Sequence, residues 1–286
     1  PNGVTEISNN TFRSATSLTS ITIPNTVTSI GQEAFKNATD LTSVTFEADS
    51  SLATIGVSAF FNATSLTSIE IPASVTYISD YAFENTDDLT SVTFEADSSL
   101  NTIGSYAFYN ATSLTSIIIP ASVTSIGQEA FKNATDLSSV TFDPSSTLHT
   151  IGDEAFSGAS SLTSIDIPNN VTDIGGSAFY DAISLETVTF EDDSSLNTIG
   201  SSAFMNSGLT SINIPNTVTT IGTSAFSGAT SLTSITIPNS VISIGQYSFM
   251  NSGLTSINIP ASVASIGLNT FNNDISLSSV TFEADS

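Results

Sequence analysis

The sequence predicts an α/β repeat solenoid with one parallel sheet of about twelve strands and short helices on its convex side. Three observations support this fold class: a motif close to Leu-Thr-Ser-Ile recurs every 22 to 25 residues, each copy holds a strand pattern followed by a helix pattern, and 39% of the residues are hydrophobic. A single copy cannot bury its own apolar face, whereas stacked copies share a continuous core. The motif begins at Leu18, Leu41, Leu66, Leu89, Leu114, Leu137, Leu162, Leu185, Leu209, Leu232, Leu254 and Leu277.

The first element of each copy is a short strand. In residues 18–23, Leu18, Ile21 and Ile23 are apolar, and the residues between them are threonine and serine. The alternation around Ile21 and Ile23 is the period of a strand with one buried face. Pro24 then ends the strand, because proline has no N–H to donate to a sheet.

The second element is predicted to be a short helix. Ala34, Phe35 and Ala38 follow the spacing of one helix face. Ser29 precedes Gln32 by three residues, which fits a capping box at a helix start. A phenylalanine recurs at the position of Phe35 throughout the array, so we expect its rings to stack in the core.

Two kinds of copy alternate through most of the chain. One continues its strand with Ile-Pro, as at Ile23, and the other continues with Phe-Glu-Ala-Asp-Ser-Ser, as at Phe46, with two more residues in the loop that follows. We assign residues 1–17 to a degenerate first repeat or cap and residues 18–286 to the array. The array is expected to be a single elongated domain and part of a longer chain.

The repeat resembles the BspA-like, or Treponema pallidum-type, leucine-rich repeat family. The resemblance rests on the pattern Ile-Pro-x-x-Val-x-x-Ile-Gly-x-x-Ala-Phe, seen in residues 23–35 and again in residues 119–131, and it covers roughly residues 4–286. Members often carry a cysteine a few residues after Ala-Phe, where this chain has alanines such as Ala38 and Ala134. A small residue is therefore kept there without the thiol.

The resemblance implies a non-enzymatic adhesion or recognition module. Such proteins are commonly secreted or exposed on the cell surface, so the implied location is extracellular or cell surface and the implied partner is an extracellular protein or glycan. An alternative is a structural subunit that self-associates into an extracellular filament, coat or matrix, since open repeat ends suit end-to-end assembly.

Composition excludes several other classes. The chain has 3 basic and 27 acidic residues, a net charge of −24 and no cysteine. We expect no nucleic-acid binding, because phosphate affinity needs clustered lysine and arginine. Disulfides are impossible, and no apolar stretch is long enough to insert into a membrane.

Neither a catalytic centre nor a cofactor site is predicted. The single histidine, His149, lies in a repeat loop without a marked nucleophile partner. Glu70 and Asp166 occupy the same strand position in copies four strands apart, roughly 19 Å at the spacing of a sheet, which exceeds the separation of paired glycosidase carboxylates. The recurring acidic loops, such as residues 47–49, have two interpretations: a solvated acidic ridge or weak calcium binding.

Asn-x-Thr sequons offer possible glycosylation sites. For the sequons that follow Ala-Phe, a structural alternative is that asparagine adopts the left-handed conformation there, and both roles are compatible. The sequon asparagines are Asn9, Asn37, Asn62, Asn110, Asn133 and Asn170.

The predicted ligand face is the exposed side of the sheet. Threonine and serine dominate it, and such residues also simply suit an exposed strand. Identical rows cannot fix a register, so specificity is expected where the threonine column is broken. Those positions are Glu70, Ile118, Asp166, Asn213 and Asn258.

Overall fold

The computed structural model describes residues 3–284 and contains strands and turns in that range. The chain divides between Leu148 and His149 into two compact units, called here the N-terminal unit and the C-terminal unit. Each unit is a parallel β-solenoid in which a two-residue strand and a longer strand alternate along the chain.

The strands of the N-terminal unit follow in chain order. They are β1 (Glu6–Ile7), β2 (Ser20–Ile23), β3 (Ser29–Ile30), β4 (Ser43–Phe46), β5 (Thr54–Ile55), β6 (Ser68–Ile71), β7 (Tyr77–Ile78), β8 (Ser91–Phe94), β9 (Thr102–Ile103), β10 (Ser116–Ile119), β11 (Ser125–Ile126) and β12 (Ser139–Phe142).

The C-terminal unit repeats the arrangement. Its strands are β13 (Thr150–Ile151), β14 (Ser164–Ile167), β15 (Asp173–Ile174), β16 (Thr187–Phe190), β17 (Thr198–Ile199), β18 (Ser211–Asn213), β19 (Thr220–Ile221), β20 (Ser234–Thr236), β21 (Ser243–Ile244), β22 (Ser256–Ile259), β23 (Ser265–Ile266) and β24 (Ser279–Phe282).

Each unit therefore has two sheet surfaces, where the sequence predicted one. In the N-terminal unit the odd-numbered short strands pair in the order β1-β3-β5-β7-β9-β11, and the even-numbered long strands pair in the order β2-β4-β6-β8-β10-β12. In the C-terminal unit the short strands run β13 to β23 in the same way, and the long strands form β14-β16-β18-β20 and β22-β24. All of the pairs are parallel.

Repeat length sets how far neighbouring long strands pair. Where motif leucines are 23 residues apart, as from β10 to β12, all four residues of the strands are in register. Where they are 25 apart, as from β8 to β10, the register reduces to the single pair Ser91↔Ser116. The two extra residues lengthen the loop after the earlier strand, so the strands diverge beyond their first residue.

The predicted convex helices are wrong. No helix occurs in residues 3–284, and the segment that carries Ala34 and Phe35 is a series of turns. Glu33 and Asn37 have positive φ angles of 54° and 59°, which a right-handed helix does not allow. Every second N–H here leaves its own repeat: that of Phe35, for example, donates to the carbonyl of Ala59 over 2.7 Å.

The capping-box prediction at Ser29 and Gln32 fails for a related reason. The Gln32 N–H donates to the side-chain oxygen of Asn9 in the previous repeat over 2.8 Å, so a neighbouring repeat satisfies the donor that a helix cap would have satisfied. Ala34, Phe35 and Ala38 are all buried at this corner of the solenoid. Their spacing in the sequence is therefore the same as that of one buried helix face, although the backbone forms turns.

The phenylalanine column forms the core, as predicted. In the N-terminal unit Phe35 and Phe60 are fully buried and stack with ring centroids 5.0 Å apart and planes 1° apart. In the C-terminal unit Phe179 and Phe204 stack in the same way at 5.3 Å. Leucines, isoleucines and valines of the strands enclose each column, so every repeat contributes to one apolar interior.

Backbones of successive repeats approach closely beside each short strand. A Cβ atom at Gly56 would lie 2.7 Å from the carbonyl carbon of Gly31 and 2.7 Å from the carbonyl oxygen of Ile30. Glycine at position 56 is therefore favoured by contact between repeats rather than by an unusual dihedral angle, whereas the equivalent corner after β7 holds Ser79.

Candidate recognition surface

The outward side of the long strands is a surface that repeats along each unit. Strand β6 shows its construction: Ser68 and Glu70 are exposed, and Ile69 and Ile71 are buried. The first and third residues of each long strand face outward in this way because successive side chains of a strand alternate. We call this set of outward side chains the long-strand face.

All five residues of the predicted ligand face occupy the third position of a long strand, and each is exposed. Each is in register with a threonine of the following strand. The N-terminal unit carries Glu70 and Ile118, opposite Thr93 and Thr141, and the C-terminal unit carries Asp166, Asn213 and Asn258, opposite Thr189, Thr236 and Thr281.

Two of these side chains are engaged by a neighbour on the same face. The Thr189 hydroxyl donates to the carboxylate of Asp166, and the Asn258 amide donates to the carboxylate of Glu283 over 2.5 Å. Ile118 differs in kind, because 66% of its surface is exposed although it is a large aliphatic side chain. It is the single apolar residue among the outward third positions of the long strands.

A groove opens in the N-terminal unit where strands β8 and β10 diverge. Its volume is about 450 Å³, and Ile118 lies on its wall together with Phe94 and Pro120. The loop after β8 and Asp143 after β12 form its rim. We call it the β8–β10 groove. Sequence reasoning missed it, although the 25-residue step from Leu89 to Leu114 was the available signal.

An equivalent groove lies in the C-terminal unit between β16 and β18. Its volume is about 630 Å³, and its rim carries Glu191, Asp192 and Asp193. Asn213 takes the place that Ile118 has in the other groove. We call it the β16–β18 groove. The two grooves share a backbone design but differ in the polarity of one wall.

The acidic loops that form these rims have a structural role. The Glu95 carboxylate accepts the backbone N–H of Ala73 over 2.9 Å, and Glu47 and Glu191 accept the N–H of Asn25 and Asn169 in the same manner. Each of these N–H groups belongs to the residue after the proline that ends the preceding long strand. The glutamates thus satisfy donors that lie just beyond the ends of fully paired long strands, where the sheet register stops.

The aspartates of the same loops lie in turns with left-handed backbone. Asp49, Asp97 and Asp193 have φ angles of 58°, 57° and 58°, a conformation that aspartate tolerates better than most residues. Within residues 3–284, no group of three or more histidine or acidic side chains is arranged to hold a metal ion. In addition to the two interpretations from the sequence, a solvated acidic ridge and weak calcium binding, these acidic residues have a structural role in shaping the turn.

The sequon asparagines of the N-terminal unit form part of a ladder between repeats. The amide of Asn110 donates to Asn85 over 2.9 Å, and that of Asn133 donates to Asn110 over 3.0 Å. Asn62 donates likewise to Asn37 over 3.1 Å. All have positive φ angles, as the sequence-based alternative proposed for this position.

The remaining two sequons lie elsewhere. Asn9 and Asn170 are exposed, and the side-chain oxygen of Asn9 accepts an N–H from the next repeat. Glycosylation of any of the six asparagines stays a prediction.

We call the turns that carry the phenylalanine column the turn region. All three basic residues of the chain lie in the turn region of the N-terminal unit, and each forms an ion pair. Arg13 and Lys36 pair with Glu33, and Lys132 pairs with Glu129 over 3.1 Å. The long-strand face of the described chain therefore presents carboxylates without any lysine or arginine among its outward residues.

Tyr106 and Glu129 form a short hydrogen bond in that turn region. The Tyr106 hydroxyl donates to the Glu129 carboxylate over 2.6 Å, and this hydrogen bond raises the pKa of Tyr106 to about 12. Burial raises the pKa of Glu129, but hydrogen bonds from Tyr106 and Lys132 outweigh it, so the net pKa of Glu129 lies below its ordinary value of 4.5. The Tyr106 ring also stacks on Tyr81 with centroids 4.8 Å apart.

His149 is exposed, and its backbone carbonyl accepts the N–H of Thr172 over 3.0 Å. Residues 3–284 form no helix with the length and apolar character needed to cross a membrane.

The stacked turns, the leucine and phenylalanine columns and the parallel long strands define a leucine-rich repeat solenoid. The family model for the BspA-type leucine-rich repeat region matches residues 1–99, 93–207 and 197–286, with six copies. The chain belongs to this family. Its members are leucine-rich repeat proteins, which are typically non-enzymatic recognition modules.

Solved structures of bacterial proteins share the fold. A leucine-rich cell surface protein from Faecalibacterium prausnitzii is 30% identical, with a TM-score of 0.55 over 99% of this chain and 84% of that one. A leucine-rich repeat protein from Bacteroides ovatus is 27% identical, with a TM-score of 0.64 over 98% and 78%. The pneumococcal vaccine antigen PcpA is 25% identical, with a TM-score of 0.59 over 98% and 75%. A comparison with curated proteins gives no significant match.

Proposed function

We propose that this chain is the recognition module of a cell-surface or extracellular protein, and that its ligand is a protein bound on the long-strand face. The observation that carries the proposal is the exposure of Ile118, an aliphatic side chain on a face otherwise made of small polar and acidic residues. An exposed apolar side chain beside a groove is a common feature of a contact surface.

The location follows from the family and from its neighbours' names. The Faecalibacterium prausnitzii relative is described as a cell surface protein, and PcpA is described as a vaccine antigen. Both descriptions favour an exposed, extracellular setting for a module of this type. They do not define a ligand, so the ligand class is argued from the surface itself.

A protein ligand fits this surface better than a glycan does. Sugar-binding surfaces commonly use aromatic rings as stacking platforms, and the outward first and third positions of the long strands between residues 3 and 284 hold no aromatic residue. The broken threonine column, in contrast, places one apolar residue and several carboxylates or amides at fixed intervals. Such a mixture suits a protein partner with complementary side chains.

Binding assays on separate variants test the proposal. The chain is first screened against immobilised extracellular matrix proteins and a glycan array, and Ile118→Thr and Asp166→Thr are then compared with the unchanged protein. Each substitution restores the common threonine, so the melting temperature should hardly change. We expect a protein hit, with affinity reduced about tenfold, or about 1.4 kcal/mol, in at least one of the two variants.

Matched controls identify the surface. Thr45→Ser changes the same face at a regular position that lines neither groove, and it should leave affinity unaltered. If the variants of the long-strand face bind normally and Tyr109→Ser or Tyr180→Ser abolishes binding, the ligand site lies on the turn region instead. A hit confined to glycans would overturn the protein-ligand proposal.

A further inference from the structure

We propose that the β8–β10 groove binds a lysine or arginine side chain from a basic segment of the partner protein. The inference rests on the proposed recognition function and names the partner chemistry for one part of the long-strand face. It depends on three features of the groove: how it is opened, what lines its wall, and which charges surround it.

The groove is built into the backbone rather than formed by flexible side chains. Strands β8 and β10 are in register only at Ser91 and Ser116, whereas β10 and β12 are in register along four residues. The divergence results from the longer step between motif leucines. A rigid cleft of this kind costs little to organise when a ligand side chain enters it.

The wall of the groove is apolar. Val92 and Ile117 are buried beneath it, Phe94 and Pro120 are half-buried at its side, and Ile118 is largely exposed. This surface can cover a chain of methylene groups. An ordinary polar loop would gain little from it, whereas a long aliphatic stem would bury apolar area against Phe94 and Ile118.

The rim of the groove is acidic. Asp97 is exposed, and Asp143 and Glu95 are half-exposed around the same opening. Glu95 and Asp143 each accept one backbone N–H, from Ala73 and Ser145 respectively, and each carboxylate has further lone pairs available. A cationic head group at this rim would meet complementary charge.

Lysine and arginine combine the two properties that the groove requires, an apolar stem and a cationic head. The net charge of −24 favours a basic partner over long distances as well. Neither a purely apolar side chain nor a small cation would use both the wall and the rim. We therefore assign the groove to a basic side chain of a protein.

The β16–β18 groove supplies a natural comparison. It has an acidic rim, with Asp192 and Asp193, but a polar Asn213 in place of Ile118. The proposal predicts weaker binding there, because the aliphatic stem would lose its apolar contact. Variants that remove the same number of charges from each groove can therefore be compared. They distinguish specific binding in the β8–β10 groove from general attraction of a basic peptide to an acidic protein.

The test uses a short peptide of alternating lysine and serine and the whole chain with labelled isoleucine methyl groups. Nuclear magnetic resonance should show a shift of the Ile118 methyl signal on titration. The peptide affinity obtained from this titration should fall about fivefold in the double variant Asp97→Asn/Asp143→Asn. This decrease equals about 1 kcal/mol, the value expected for two exposed ion pairs. Asparagine also adopts the left-handed conformation of Asp97, and at position 143 its side-chain oxygen can still accept the N–H of Ser145, so these substitutions preserve the loop conformation.

The control variant Asp192→Asn/Asp193→Asn removes the same charge from the other groove and should leave the Ile118 titration unchanged. Two further peptides dissect the side chain: norleucine keeps the stem without the charge, and diaminopropionic acid keeps the charge on a short stem. Both should bind more weakly than lysine. Ile118→Asn should also weaken binding of the lysine peptide. Because this variant lacks the Ile118 methyl signal, its titration is followed by the shift of the neighbouring Ile117 methyl signal.

Three results would overturn the inference: no shift at Ile118, equal weakening by the two charge variants, or equal binding of the norleucine peptide. These measurements use no natural partner. A negative result here, together with partner binding that depends on Ile118, would reject the basic side chain while leaving the recognition function intact.

Discussion

Glu95 reaches back to the preceding repeat, where its carboxylate accepts the backbone N–H of Ala73 at 2.9 Å. This bond gives a physical reason for the glutamate that follows β8. Ala73 comes directly after the proline that ends β6, in a part of the turn where no sheet partner is offered to its N–H. The acidic character of the groove rim thus begins with a requirement of the fold.

Substitution of Glu95 tests that bond. Glu95→Ala should lower the free energy of unfolding by about 1.5 kcal/mol, because the Ala73 N–H loses a charged acceptor. Glu95→Gln keeps an acceptor oxygen and should recover part of the loss. Chemical denaturation of the three proteins measures the difference; equal stability of all three would show that water replaces the carboxylate without cost.

The orientation of the short strands can be tested in β11. Ile126 is fully buried, so Ile126→Asp places an unpaired charge in the apolar core and should cost more than about 3 kcal/mol. Thr115 is exposed just before β10, and Thr115→Asp should cost less than about 0.5 kcal/mol. Thermal melting distinguishes them, and a similar loss in both variants would contradict the assigned inward and outward sides.

Ser248 offers a stabilising substitution. It stands where most repeats have alanine before phenylalanine, it is fully buried, and its hydroxyl has no hydrogen-bond partner. Ser248→Ala should therefore raise the free energy of unfolding by about 1 kcal/mol.

Thr270 is the matched control for this prediction. It occupies the same position one repeat later, but its hydroxyl lies 2.8 Å from the carbonyl oxygen of Gly267 and 3.2 Å from that of Gly245. Thr270→Ala should destabilise the chain. Urea unfolding that ranks the two alanine variants in the opposite order would refute the role of hydroxyl satisfaction here.

The Tyr106–Glu129 hydrogen bond predicts a pH dependence. Because the pKa of Glu129 is lowered in the folded chain, the contact adds stability above the ordinary pKa of 4.5 and loses it as the pH falls through the folded value. Tyr106→Phe should therefore destabilise the protein at neutral pH and much less in acid. Carboxyl carbon resonances should also show a higher pKa for Glu129 in the variant, and an unchanged titration would exclude the hydrogen bond as its cause.

The asparagine ladder can be examined at Asn110. Asn110→Ala removes the bonds to Asn85 and Asn133 and places alanine at a φ angle of 55°, so we expect a loss of about 2 kcal/mol. Asn110→Gly removes the same bonds without the backbone penalty and should lose about half as much. If glycine restores full stability, the ladder contributes nothing and the dihedral angle alone explains the asparagine.

The sequence allowed prediction of the repeat, the phenylalanine column and the side of each long strand that faces outward. These follow from apolar periodicity, since a phenylalanine recurs at the place of Phe35 in each copy of the repeat. The helices were predicted wrongly because the spacing of Ala34, Phe35 and Ala38 fits a helix face and a solenoid corner equally well. Only the bonds between repeats, such as Phe35 to Ala59, distinguish the two.

The grooves could not be predicted, because they depend on the paths of two strands rather than on any one residue. The step lengths indicate where loops are longer, but not whether the extra residues bulge outward or separate the strands. Ile118 was found from the sequence as an irregular residue. Its position on the wall of a cleft required the divergence of β8 and β10.

The alternation of repeat lengths also has a genetic consequence. A pair of repeats, such as Leu18 to Leu66, spans 48 residues and contains one fully paired step and one divergent step. In-frame duplication of such a pair would lengthen the solenoid and add one further divergent step between long strands without disturbing any existing ladder. Duplication of a single repeat would instead place two copies of the same kind next to each other. The chain has this arrangement after Leu209, and there β20 and β22 belong to separate sheets. Recombination in double repeats would therefore change the number of divergent steps while preserving their geometry.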